Sequence, residues 1–149
     1  MDGWWAISGH AVVTGRDVPY LSWRGLAAEI LACSPDAEIE RLSEAAIGAL
    51  DALDPNQVER WPVLGDLLGV PFPDTPLTQG MQASQRRQML MELITRWVKV
   101  QSVQTPLFLV LEDAQWADEA SIELALELTR AAVSLPAGAS KGLVIVLVH

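Results

Sequence analysis

Hydrophobic and polar positions follow two different rhythms along this chain. Two continuous apolar runs, Leu107 to Leu111 (LFLVL) and residues 143–148 (LVIVLV), are short, and β-branched residues dominate the second. Both read as strands. A third strand is predicted in the opening segment GWWAISGHAVVTG, where Trp4, Trp5, Ile7, Val12 and Val13 lead to a closing Gly15. The adjacent Trp4 and Trp5 would face opposite sides of it.

Elsewhere apolar residues recur every three or four positions, the helical rhythm. A short helix carrying Leu26, Ile30 and Leu31 follows the turn at Pro19. The cleanest amphipathic face is Ile39, Leu42, Ala46, Ala49, Leu50 and Leu53. Ahead of it, Ser34-Pro35-Asp36 predicts an N-cap, a first helical residue and an acid in the first turn. Asp54-Pro55-Asn56-Gln57 restarts the chain with Gln57 at the capping-box position, and Pro62 predicts a break near Trp61 before a short helix ending at Gly69. A proline-rich loop leads to a long helix over residues 83–103, striped by Leu90, Leu93, Ile94, Trp97 and Val100. The last helix, 119–134, takes Asp118 as its N-cap and is apolar on two sides, which places it between layers. The segment LPAGASKG then turns the chain into the final strand.

Continuous apolar strands are expected to be buried on both faces, as parallel strands covered by helices. With right-handed crossovers, the predicted fold is α/β.

Composition narrows the class. Of 149 residues, half are hydrophobic and 19% charged, a globular balance for one domain. The net charge of −9 comes without any basic run beyond Arg86-Arg87, so no direct nucleic-acid partner is expected. A single cysteine, Cys33, excludes an intrachain disulfide framework and reads as a buried helix residue. No apolar run reaches membrane-spanning length and no signal-peptide pattern opens the chain, so the expected setting is cytoplasmic with no membrane partner. His10 and His149 lack companions at metal-ligand spacing, and no serine sits in a Gly-x-Ser-x-Gly elbow.

Glu112 and Asp113 are the candidate chemistry. They end the greasiest strand, and in parallel α/β sheets ligands bind at the carboxyl ends of strands. Paired carboxylates there offer oxygen ligands to a hard cation such as Mg²⁺. Strand, two acids, turn and helix is the layout of a Walker B element, in which one acid holds the Mg²⁺ of a nucleoside triphosphate and a neighbour orients the attacking water. The same spacing also arises where acids merely cap a helix or solvate a loop.

The longer string LFLVLEDAQWADEAS resembles the Walker B segment of AAA-like, STAND-class P-loop ATPase domains. These domains occur in LuxR-type transcription activators and in multidomain cyclase- or kinase-linked signalling proteins. The matching residues are Glu112, Asp113, Trp116 and Asp118. Pro19-Tyr20 and Trp23-Arg24 resemble the segment after that family's second strand, and KGLVIVLVH resembles its next strand. The resemblance implies Glu112 and Asp113 as metal ligands and Asp113 as the catalytic residue, while Trp116 is expected from packing to buttress the turn that aims the acids. It also implies a partial P-loop NTPase fold with a three-stranded parallel sheet, Leu107–Leu111 central, flanked by helices. ATP and Mg²⁺ are the implied cofactors of a complete domain, and transcription regulation or signal transduction its setting.

One family element is missing. No Gly-x-x-x-x-Gly-Lys-Ser/Thr loop occurs, and Lys141-Gly142 has the order reversed. The expectation is therefore a single incomplete ATPase domain over residues 1–149, lying between the P-loop and the strand before the sensor residue. Such a chain is expected to bind no cofactor tightly and to be inactive alone. Its partner would be the remainder of its own ATPase domain or another protein. A degenerate, non-catalytic remnant or protein-interaction module that keeps only the fold is the alternative.

Overall fold

The computed structural model describes residues 3–138 and 140–149. Its strands are β1 (Trp5–His10), β2 (Leu107–Glu112) and β3 (Leu143–Leu147). Its helices are α1 (Arg24–Leu31), α2 (Ile39–Leu53), α3 (Leu64–Leu68), α4 (Ala83–Gln104) and α5 (Glu119–Ser134). Short 3₁₀ segments at Val13–Gly15, Leu21–Trp23, Pro55–Val63 and Ala114–Trp116 join them. The sheet is parallel with order β1-β2-β3, so β2 is central as the resemblance implies.

Register decides which residues meet. Ile7 pairs with Leu109 and Leu109 with Ile145, while Ala6, Phe108 and Val144 form the neighbouring row. Leu107, Leu109 and Leu111 are fully buried, and α1, α4 and α5 contact β1, β2 and β3 respectively. Trp5 meets Trp97 of α4 edge-on, with ring centroids 5.7 Å apart. The alternate row is different. Ala6, Ser8 and Val144 are exposed, and Phe108 and Val110 are only half-buried.

Burial on both faces, expected from the apolar runs, is therefore not what the described residues show. The cause is topological. Strands added in one direction with right-handed crossovers place every crossover on the same side of the sheet. Only a reversal of strand order would carry helices to the other side.

Close approach on the covered face needs glycine. A Cβ on Gly9 would lie 1.9 Å from the Ser22 carbonyl oxygen, and one on Gly25 would lie 2.8 Å from that of Ser8. These two positions let the start of α1 press directly on β1.

Several boundaries differ from the sequence reading. β1 stops at His10, and Val12 and Val13 lie outside it at 48% and 58% exposure, because the chain turns into a 3₁₀ segment. Ser34 does not cap α2. Its Oγ accepts only from the Asp36 N–H, closing a local turn, and the helix begins at Ile39 with Glu38 as N-cap. The restart after α2 is capped by Asp54, whose side chain accepts the Asn56 N–H at 3.0 Å, while Gln57 Oε1 is buried without a partner. The break expected near Trp61 is not found: Pro62 lies inside a 3₁₀ run, Pro55–Val63, that passes directly into α3, which closes at Gly69 in the left-handed conformation. On α4, Val98 joins the buried stripe and Val100 is exposed. On α5, Leu124, Ala125, Leu128 and Ala131 are buried, whereas Leu126 is 45% exposed. Cys33, expected as a buried helix residue, is half-buried and lies beyond α1, after the left-handed Ala32 ends the helix. Of the turn 135–142, Ala139 lies outside the described residues.

Candidate functional site

The apolar rise of β2 delivers Glu112 as its last residue, on the open face with Phe108 and Val110. Register sets His10 directly opposite, and the His10 Nδ1 lies 3.3 Å from Glu112 Oε2. Both side chains are substantially exposed, so the contact is a weak, solvent-screened one. Asp113 follows in the left-handed conformation (φ 53°), which breaks the strand sharply. Its carbonyl accepts the Trp116 N–H at 2.9 Å, its residue is exposed, and its carboxylate makes no hydrogen bond or ion pair among the described residues.

Beyond the acids the turn is held from three sides. Ala11 N–H donates to the Glu112 carbonyl at 3.1 Å. Arg16 donates through Nη2 to the Gln115 carbonyl at 2.8 Å and lays its guanidinium over the Trp116 ring, 5.0 Å from the centroid. Trp116 is thus an exposed platform for Arg16 more than a buried buttress. The firmest anchor is Asp118. At 4% exposure, its Oδ2 accepts from Ser121 N and Tyr20 N, both at 2.9 Å, and its Oδ1 from Ser121 Oγ at 2.6 Å. The N-cap expected of Asp118 is present, and it reaches across to the β1–α1 connection as well.

That connection is tied a second time, because Trp23 Nε1 donates to the Ser121 carbonyl at 3.0 Å. Tyr20 adopts φ 60° to bring its N–H to the carboxylate, and burial raises its phenol above the ordinary value. Arg24, next to Trp23, has a guanidinium pressed on Gly69; burial lowers its pKa, opposed by the nearby Asp118 charge. The Pro-Tyr and Trp-Arg pairs and the Trp-Ala-Asp string therefore form one packed unit in space.

His10, Arg16 and Ser121 were not assigned to the site from sequence. His10 depends on strand register and Arg16 on how the loop folds back, neither of which leaves a periodic trace. Ser121 could have been found, since a serine three residues after an Asp N-cap is placed to meet it.

As a donor set, the acids are incomplete for Mg·ATP. Octahedral Mg²⁺ takes one or two carboxylates together with phosphate and water oxygens. Among the described residues no group of three or more His, Cys, Asp or Glu could hold a metal. The phosphate-cradling amides and lysine of a P-loop are also absent from the sequence. Glu112 and Asp113 alone do not fit the bound nucleotide.

An all-parallel α/β sheet with acids ending its central strand defines the class, that of a P-loop NTPase fold in part. The AAA ATPase domain family matches residues 2–146, and the chain belongs to that family. No match was found among curated proteins or solved structures. Among the described residues, no helix is long and apolar enough to cross a membrane.

Proposed function

We propose that this chain is the central segment of an ATP-binding signalling or regulatory ATPase domain, carries its Walker B element, and is inactive by itself. The observation that carries the reading is the placement of Glu112 and Asp113 at the carboxyl end of the central strand. Membership of the AAA ATPase domain family over residues 2–146 supports the reading. In a complete domain Glu112 and Asp113 would hold the metal, and Asp113 would also align the attacking water. Both act only when a phosphate-binding loop stands beside them.

The rest of the same ATPase domain, or a protein partner, supplies that loop. The free edge of β3 is where it would join, since a strand added there can reverse the direction of the sheet. Such a reversal creates the crevice in which α/β proteins bind ligands. It also sends the following helix to the open face, over Phe108, Val110 and Val144.

Two measurements test the reading. The chain alone should show no heat of binding with Mg·ATP and no turnover; turnover that disappears in Asp113→Asn would refute inactivity. Extending the chain by the in-frame coding sequence ahead of Met1 should restore nucleotide binding if that sequence encodes a Gly-Lys-Ser/Thr loop. Asp113→Asn should then lower hydrolysis by about two orders of magnitude or more. If the loop is absent, the alternative stands: a non-catalytic interaction module that keeps the fold.

A further inference from the structure

The backbone of β3 is satisfied on one side only. The Gly142 carbonyl accepts the Leu107 N–H, and Val148 donates to Leu111 and accepts from Ala114, each at 2.9 Å. Even-numbered residues here therefore turn their backbone groups to β2. Those of Leu143, Ile145 and Leu147 point the other way, and none has a partner among the described residues. Their side chains continue the row of Leu107, Leu109 and Leu111. Those three are fully buried, yet Leu143 and Ile145 are half-buried and Leu147 is 37% exposed. Sheet and helix layer both stop short at β3.

A second apolar surface flanks this edge. Ile122, Leu126, Thr129 and Val133 of α5 recur at intervals of four, three and four, a single stripe. Leu126 and Val133 are 45% and 82% exposed. Glu123, paired with Arg87, marks the flank of α5 that faces α4. At about 100° per residue, the order around the helix is Glu123, then the buried Leu124, Leu128 and Ala125, then this stripe. The stripe thus lies on the flank turned from α4, and α5 packs on β3.

The pattern fits its own copy. The outward groups of β3 are symmetric about Ile145, so an antiparallel second β3 sets Ile145 against itself and Leu143 against Leu147 without a mismatch. A two-fold axis normal to the sheet does this and keeps both helix layers on one side, bringing the two α5 stripes together. No charged residue occurs in β3 or in the stripe, although each chain carries −9 overall. β3 also has none of the lysine, proline or bulge devices that guard a strand edge. On so acidic a molecule, an uncharged patch is where two copies meet without repulsion.

We infer that the β3 edge and the α5 stripe form a homodimer interface, joining two chains through a continuous six-stranded sheet. The five residues of β3 and the four of the stripe are few beside the roughly 20–30 a side of a standard interface, so the dimer is a weak one, with Kd on the order of 10–100 μM. The inference goes beyond the nucleotide reading and does not depend on it. A strand from elsewhere that joined β3 would displace the second copy.

Sedimentation velocity of the 149-residue chain over a concentration series should show twice the chain mass at the upper end and nothing larger. Raising salt should tighten the dimer by screening the repulsion between acidic bodies. Ile145→Pro deletes an outward N–H and no bond to β2, and should leave monomer throughout. Leu126→Lys puts a charge in the stripe and should weaken the dimer about tenfold. Because Leu126 is exposed, that variant keeps the test valid should the proline disturb the strand. Val110→Lys, on the open face, is the control and should dimerise as the native chain does. Circular dichroism checks the fold of each. A chain that stays monomeric, assembly beyond the dimer, a dimer that survives Ile145→Pro or Leu126→Lys, or one lost in Val110→Lys overturns the proposal.

Discussion

The carboxylate of Asp118 accepts the backbone N–H of Tyr20 at 2.9 Å, joining residues 98 positions apart. The same oxygen caps α5 through Ser121. One buried side chain therefore fixes both the helix that follows the candidate acids and the loop that folds over them.

Asp118→Ala should be among the most damaging single changes in the chain. It removes an N-cap, costing about 1 kcal/mol, and strands the Tyr20 N–H and the Ser121 hydroxyl, costing roughly 1–3 kcal/mol more. Urea unfolding should show a total loss of about 2–4 kcal/mol. Asp118→Asn keeps an acceptor oxygen and should lose less. A loss below that of a typical surface mutation would show that the hub contributes nothing.

Two glycines should respond in opposite directions to the same added methyl. Gly9→Ala places a Cβ 1.9 Å from the Ser22 oxygen, so β1 and the chain leading into α1 must separate. Overpacking of this kind costs about 1–3 kcal/mol or more. Gly48 lies within α2 on an exposed face with open space around it. Gly48→Ala should stabilise by about 0.5–1 kcal/mol. Thermal midpoints of the two variants decide the matter.

Neighbouring residues of β2 should behave unlike one another. Leu109 is fully buried on the covered face, and Leu109→Ala should cost about 2–5 kcal/mol. Val110 faces the open side, and Val110→Thr should change stability by less than about 0.5 kcal/mol while raising solubility. Equal losses at both positions would mean that the second face is covered in solution.

Acid should weaken the restart after α2. The Asn56 N–H, and then Arg96, hold the Asp54 carboxylate below its ordinary pKa. A group depressed on folding contributes stability above its unfolded pKa and loses it as pH falls through the folded value. The urea midpoint of the native chain should therefore exceed that of Asp54→Asn near neutrality, with the gap closing on the acid side of the ordinary carboxylate range. A gap constant from neutrality to strong acid would assign the effect to hydrogen bonding alone.

The elements and their order were legible because each is written in local rhythm. The LFLVL run, the 119–134 helix with Asp118 at its cap, and the long α4 appear where periodicity places them, and the parallel order with β2 central follows the family resemblance. Caps were harder. Ser34 and Gln57 carry the right chemistry at the right spacing, yet a local turn and the competing Asp54 cap take their roles. A capping residue acts through backbone geometry that a neighbour can claim first.

What the sequence determined by itself was the candidate pair: the apolar run of β2 stops at Leu111, and Glu112 and Asp113 follow it. The tertiary structure alone decided what surrounds them. Register brought His10 to Glu112, the loop after β1 carried Arg16 onto Trp116, and Asp118 closed on Tyr20. It also decided that one face of an apolar sheet stays open. Side-chain pattern records how a residue would prefer to be buried, whereas strand order and crossover hand determine which layer is there to bury it.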